Sequence, residues 1–199
     1  MRDKKKILVL TASLIILVFC GACDPRITYH SQEPSVDGQS TYEGQPYTYE
    51  IMGAVDGTAN LYVGTLNPGT ERPQTAFFRY VGYNKYKLVE AVNSGVPHYA
   101  VYQDTLYYFG DYSAKIYAIS GVKNDDLGQP VTMTPDFGDD RYEFQSILTI
   151  QDDWIYIEAE KWGTNEAGYE VFLPGYYLAI HINGRDWKEV AEADIPKNK

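Results

Sequence analysis

From residue 47 onward no stretch of this chain carries a 3.6-residue apolar period, which rules out a helical core over most of its length. Short β-branched and aromatic runs take its place, at 47–52, 60–66, 76–82, 85–92, 99–102, 105–109, 115–120, 129–134, 144–150, 153–159, 176–182 and 187–190. Turn signals punctuate them. Asp56-Gly57 and Asn183-Gly184 suit tight hairpins, whose central residues take positive φ. Pro68-Gly69, Pro174-Gly175 and Gly128-Gln129-Pro130 break strand pairing in the same way. The pattern predicts an all-β domain over 47–199.

A degenerate internal repeat refines that expectation. Gln103-Asp104-Thr105-Leu106-Tyr107-Tyr108 aligns with Gln151-Asp152-Asp153-Trp154-Ile155-Tyr156 at an offset of 48, and Leu61-Tyr62-Val63 aligns with Leu106-Tyr107-Tyr108 at 45. Each copy is followed by a second apolar strand, at Phe77-Phe78, Ile116-Tyr117 or Leu178-Ala179-Ile180, and then by a closing strand at 86–89, 131–134 or 187–190. Periods near 45 with four strands per unit are the pattern of propeller blades, which bury their faces by stacking on one another. At Asp104-Thr105-Leu106-Tyr107-Tyr108 and Asp152-Asp153-Trp154-Ile155-Tyr156 the chain resembles the Tyr-rich propeller repeats common in secreted bacterial proteins. The resemblance covers about 150 residues and implies a propeller-like array of about three four-stranded units. Propellers generally close with four or more blades, so a β-sandwich or an open barrel stands as the alternative.

The amino terminus speaks to location. A basic cluster, Arg2, Lys4, Lys5 and Lys6, leads into an apolar stretch beginning at Ile7, and small residues precede Cys23. That order is the order of a secretory signal. The stretch from Ile7 to Ala22 is 16 residues long, short of the 18 or more of a spanning helix. Leu17-Val18-Phe19-Cys20-Gly21-Ala22-Cys23 resembles a bacterial lipoprotein signal, which implies a cut after Ala22 and a diacylglycerol on the Cys23 sulfur. Cys20 is the poorer acceptor, because the bulky Phe19 precedes it. An ordinary cleaved signal is the rival and would leave Cys23 as a free thiol. Two acyl chains suit a stable anchor, since one chain at ~0.8 kcal/mol per buried CH₂ holds a protein only marginally. The expected organisation is a signal at 1–22, a lipidated, flexible tether at 23–46 rich in Ser, Gln, Gly and Pro, and the folded domain at 47–199. A strand around Ile27-Thr28-Tyr29 is foreseen within the tether. The address is the extracytoplasmic face of a cell membrane.

Without residues 1–22 the chain has thirteen basic against twenty-six acidic residues, a net charge of −13. Such a surface repels nucleic acid phosphates and anionic headgroups, so no nucleic acid partner is expected and the anchor is covalent. Cys23 would then be the sole cysteine, which excludes an internal disulfide and a thiolate metal cage. The 19 tyrosines, 3 tryptophans and 7 phenylalanines of the whole chain supply the apolar area instead.

Candidate chemistry is sparse. His30, His98 and His181 share no zinc-ligand spacing, and no serine sits in a nucleophile elbow, so no catalytic residue and no cofactor are assigned. Asp125, Asp126, Asp136, Asp139 and Asp140 are the oxygen-rich positions that suit Ca²⁺, although solvated turns are Asp-rich for their own reasons. Glu158 and Glu160 share a strand face, as a glycosidase pair would. An insertion between Glu158 and Tyr176 carries Trp162, Tyr169 and Phe172, which form a candidate contact patch for a protein or glycan. The function expected is therefore a non-catalytic binding module held at the membrane; the alternative is an extracytoplasmic hydrolase acting on envelope or glycan substrates.

Overall fold

The computed structural model describes residues 28–31, 41–42, 45–67, 73–83, 85–92, 98–111, 113–124 and 126–197. Strands dominate, and every pairing is antiparallel. In chain order they are β1 (Thr28–Ser31), β2 (Thr41–Tyr42), β3 (Gln45–Pro46), β4 (Thr48–Ala54), β5 (Leu61–Asn67), β6 (Gln74–Gly82) and β7 (Lys85–Val92). There follow β8 (His98–Tyr102), β9 (Thr105–Phe109), β10 (Tyr117–Ser120), β11 (Val131–Thr132), β12 (Tyr142–Gln151), β13 (Trp154–Thr164), β14 (Glu170–His181) and β15 (Trp187–Val190). No helix of the described residues is long and apolar enough to cross a membrane.

Three four-strand meanders follow one another: β4 to β7, β8 to β11 and β12 to β15. Upstream, β1 adds to the edge of β4, as foreseen around Thr28, and β2 pairs with β3. The strands arise where the sequence alternates. In β13 the burial runs strictly by twos, with Ile155, Ile157 and Ala159 fully buried and Trp154, Tyr156 and Glu158 turned the other way. Gly64 is required where β5 passes β4, because a Cβ there would stand 2.2 Å from the Glu50 carbonyl oxygen.

Successive sheets pack face to face. Leu61, Val63 and Phe77 of the first sheet meet Leu106, Tyr108 and Ile119 of the second. Tyr107, Phe109 and Ile116 on the second sheet's other face meet Phe144, Ile155, Ile157, Leu178 and Ile180 of the third. The middle sheet is therefore covered on both sides, with Leu106, Phe109, Ile116 and Ile119 at 0% exposure. A third cluster, of Tyr49, Ile51, Leu66, Ala76 and Phe78, lies on the far face of the first sheet. Among the described residues the three sheets do not close on one another.

The repeat is real in geometry but shifted in register. One backbone hydrogen bond recurs beside each central hairpin: Tyr80 N–H to Asn60 C=O at 3.1 Å, Gly121 N–H to Asp104 C=O at 2.8 Å, and Ile182 N–H to Asp153 C=O at 2.9 Å. It makes Leu61, Thr105 and Trp154 equivalent, with spacings of 44 and 49 residues in place of the 45 and 48 read from residue likeness. A one-residue slip in a strand exchanges its two faces. Trp154 consequently does not occupy the inter-sheet position of Leu106. It is half-exposed on the far face of the third sheet, edge-on to His181 at 5.1 Å and under the Lys188 ammonium at 4.9 Å, while Ile155 fills the core.

Candidate functional site

Two features stand apart from the packing that the fold demands. The first is the insertion in the third meander. Its composition suggests a loop; the structure shows a continuation of β13 and β14, paired through Lys161↔Leu173, Trp162↔Phe172, Gly163↔Val171 and Thr164↔Glu170. β-Branched and aromatic residues favour that extended pairing. Asn165 closes the tip, its Oδ1 accepting the N–H groups of Ala167 and Tyr169, each at 3.0 Å, with Gly168 at φ 84°. The hairpin thus projects two of the predicted residues together, Trp162 and Phe172, with ring centroids 5.0 Å apart and edge to face. Trp162 is 38% exposed and Tyr169, at the tip, 69%.

The root of this hairpin is fixed by charge. Lys161 Nζ lies 2.8 Å from Glu189 and 3.1 Å from Asp140, and the Tyr142 hydroxyl donates to Glu189. The Glu189 hydrogen bond holds the Lys161 ammonium above its ordinary value, and Lys161 holds the Glu189 carboxyl below its own.

The second feature is a cleft of about 370 Å³ between the first two sheets, lined by Glu90, Tyr108, Asp111, Ser113 and Tyr117 among others. A smaller one of about 240 Å³, lined by His98, Asp111, Phe144 and Gln145, shares Asp111 with it. Tyr108 is stacked on Tyr117 at 5.5 Å and meets Phe77 edge-on at 5.2 Å. Its hydroxyl is buried without a hydrogen-bond partner among the described residues. Burial, and then the charge of Glu90, push that phenol far above its ordinary value; burial alone pushes the Glu90 carboxyl up. His98 lies flat on Phe109 at 5.1 Å, with Nε2 3.5 Å from Asp111. Ser113 is the neighbouring hydroxyl, and it is committed to its own turn, donating to the Lys115 carbonyl at 3.1 Å and accepting the Lys115 N–H at 3.0 Å.

No motif marks this cleft in the sequence, because its walls come from the end of β7, the end of β9 and the β9–β10 connection. The available signal was Glu90, an acid between Val89 and Ala91 in a run read as strand.

The remaining candidates are dispersed. Asp126 lies in the β10–β11 connection, whereas Asp136, Asp139 and Asp140 lie in the β11–β12 connection. Asp136 accepts the Gly138 N–H at 2.8 Å, the ordinary work of a turn aspartate, and Asp140 serves Lys161. Among the described residues no group of three His, Cys, Asp or Glu is placed to hold a metal ion. Glu158 accepts from the Ser146 hydroxyl at 3.1 Å. His181 accepts the Asn183 N–H at 3.1 Å, closing the Asn183-Gly184 turn. Cys23 and Asp125 lie outside the described residues. No family model, curated protein or solved structure matches the chain.

Proposed function

We propose that this chain is a lipid-anchored module on the extracytoplasmic face of a membrane, binding a protein or glycan partner through the tip of its third-sheet hairpin. The observation that carries the reading is the exposed Trp162, set edge to face on a half-buried Phe172, on a ribbon that outruns the sheet supporting it. Aromatic rings at the end of a fixed element supply contact area at small conformational cost, and they are enriched where binding energy concentrates. The Lys161–Glu189–Asp140 cluster supports it too, because it holds the base of the ribbon in one orientation. Anchoring rests on the Cys23 context, which supplies an acceptor preceded by small residues. The three successive meanders support a propeller-like array of three units, in which the middle sheet is flanked by the other two.

Replacing 162–172 with a two-residue turn, which keeps Lys161 and its contacts with Asp140 and Glu189, tests the binding half. The shortened chain should keep its β circular dichroism and melt close to the parent, and should lose partner capture from detergent-solubilised membranes. Capture unchanged by the deletion would remove the hairpin from the function. Cys23→Ser tests the anchor: label from a clickable palmitate analogue should vanish and the chain should leave the membrane fraction, whereas Cys20→Ser should retain both.

A further inference from the structure

The cleft between the first two sheets has the chemistry of a site. Tyr108 is 2% exposed, yet its hydroxyl finds no hydrogen-bond partner among the described residues. Folding normally satisfies or eliminates such a group, and a phenylalanine would fill the same volume without the penalty. Tyr108 instead lines an open space, close enough to Glu90 for the carboxylate's charge to act on its phenol. Glu90 and Asp111 contribute two carboxylates to that wall, and no lysine or arginine among the described residues lines it. Tyr117, half-buried and stacked on Tyr108, adds an aromatic ring. The volume of about 370 Å³ lies at the small end of ligand pockets, sufficient for a single functional group and its alkyl stem.

These properties select charge and shape together. A carboxylate ligand would face two negative groups at close range in a partly desolvated space, where like charges repel most strongly. A cation bearing N–H groups does the reverse. It donates to the phenol oxygen and to Glu90, neutralises that half-buried carboxylate, and presents its charge to the tyrosine rings. We propose that this cleft binds an organic cation, a protonated amine or guanidinium group, carried either by a free small molecule or by a basic side chain of a peptide. The site is separate from the hairpin and independent of what the hairpin binds.

The test is a titration of the isotope-labelled full chain in detergent, followed by amide NMR shifts. Three probes are used: agmatine, acetyl-Gly-Arg-Gly-amide, and the same peptide with citrulline, which keeps the shape of arginine and lacks its charge. A cationic probe should produce saturable shifts confined to residues 90–92 and 108–117, and the citrulline peptide should not. Saturation by agmatine alone identifies a free small cation, and saturation by the arginine peptide alone identifies a side chain. Glu90→Gln should weaken binding at least about tenfold, the loss of one charged hydrogen bond. Tyr108→Phe should weaken it about threefold to tenfold while melting at or above the parent temperature, because it deletes the unpaired hydroxyl. The Tyr108→Phe chain also serves as the folded comparison should Glu90→Gln fail to fold. Saturation by the citrulline peptide, shifts centred elsewhere, unchanged affinity in both variants, or no saturable shift with either cation would overturn the proposal.

Discussion

Tyr107 and Tyr108 are adjacent, chemically identical and buried, yet they face opposite ways. Tyr107 joins the core shared with the third sheet and Tyr108 the core shared with the first. Strand pleating does this, and it makes a residue's number relative to the turn more decisive than its type. The same rule sets the consequence of truncation in β13. Ile155→Ala should cost about 2–5 kcal/mol, the usual range for a large-to-small change at a fully buried aliphatic. Trp154→Ala, though it deletes the bigger side chain, should cost roughly 1 kcal/mol, since what it loses is a half-exposed ring contact with His181 and Lys188. Urea midpoints of the two variants check the order; a costlier Trp154→Ala would place that ring in the core. At this scale the aromatic content was legible in the sequence, and the face of each ring was not. Leu106 and Trp154 look alike as large apolar residues after a Gln-Asp pair, but the two-residue turn falls at 103–104 in one and at 152–153 in the other, one place later relative to that pair, and likeness cannot register the shift.

Elements were far more legible than faces. All twelve apolar runs became β4 to β15, because alternation and turn chemistry are local and each four-strand meander needs only near neighbours to form. The third-meander insertion was readable as an insertion but not as a hairpin. Its pairing depends on the Asn165 turn, in which one side-chain oxygen collects two backbone N–H groups. The base of the hairpin depends equally on partners remote in sequence, Asp140 and Glu189, which no spacing rule joins to Lys161. Lys161→Met should expose that dependence through pH. Glu189 has a carboxyl held below 4.5 in the folded chain, so its contribution is complete above that value and is lost as pH falls through the depressed one. Lys161 is held above 10.5, so its contribution is complete below that value and is lost as pH rises through the raised one. The gap in thermal midpoint between the parent and Lys161→Met should therefore be widest and flat from about pH 5 to 10, narrowing on both sides. A gap independent of pH would show that the methionine acts through packing alone. The cleft around Tyr108 was the least legible element of all, for it exists only once β7 and β9 have been brought together by the stacking of two sheets.

For the molecule as a whole, the decisive asymmetry is that one sheet is shared. The second meander contributes to two cores at once, and β9 alone supplies Leu106 and Tyr108 to one and Tyr107 and Phe109 to the other. Either outer sheet can loosen while the opposite face of β9 stays covered, whereas β9 cannot open without uncovering both. Local opening free energies rise with the buried contacts an opening must break. Amide hydrogen exchange should therefore be slowest in β9, at Leu106 to Phe109, and should approach there the rate set by global unfolding. It should be fastest in β11, two exposed residues at the edge of the same sheet. The contrast between β9 and β11 is informative because they belong to one sheet, so it measures stacking rather than strand pairing. A second comparison separates cooperative from piecemeal unfolding. If the three sheets melt together, Ile155→Ala in the third sheet should speed exchange of the slowest β9 amides by the factor its urea-measured destabilisation implies. If the third sheet opens alone, β9 should be protected as in the parent, and the picture of one core divided by a shared sheet would give way to independently stable layers.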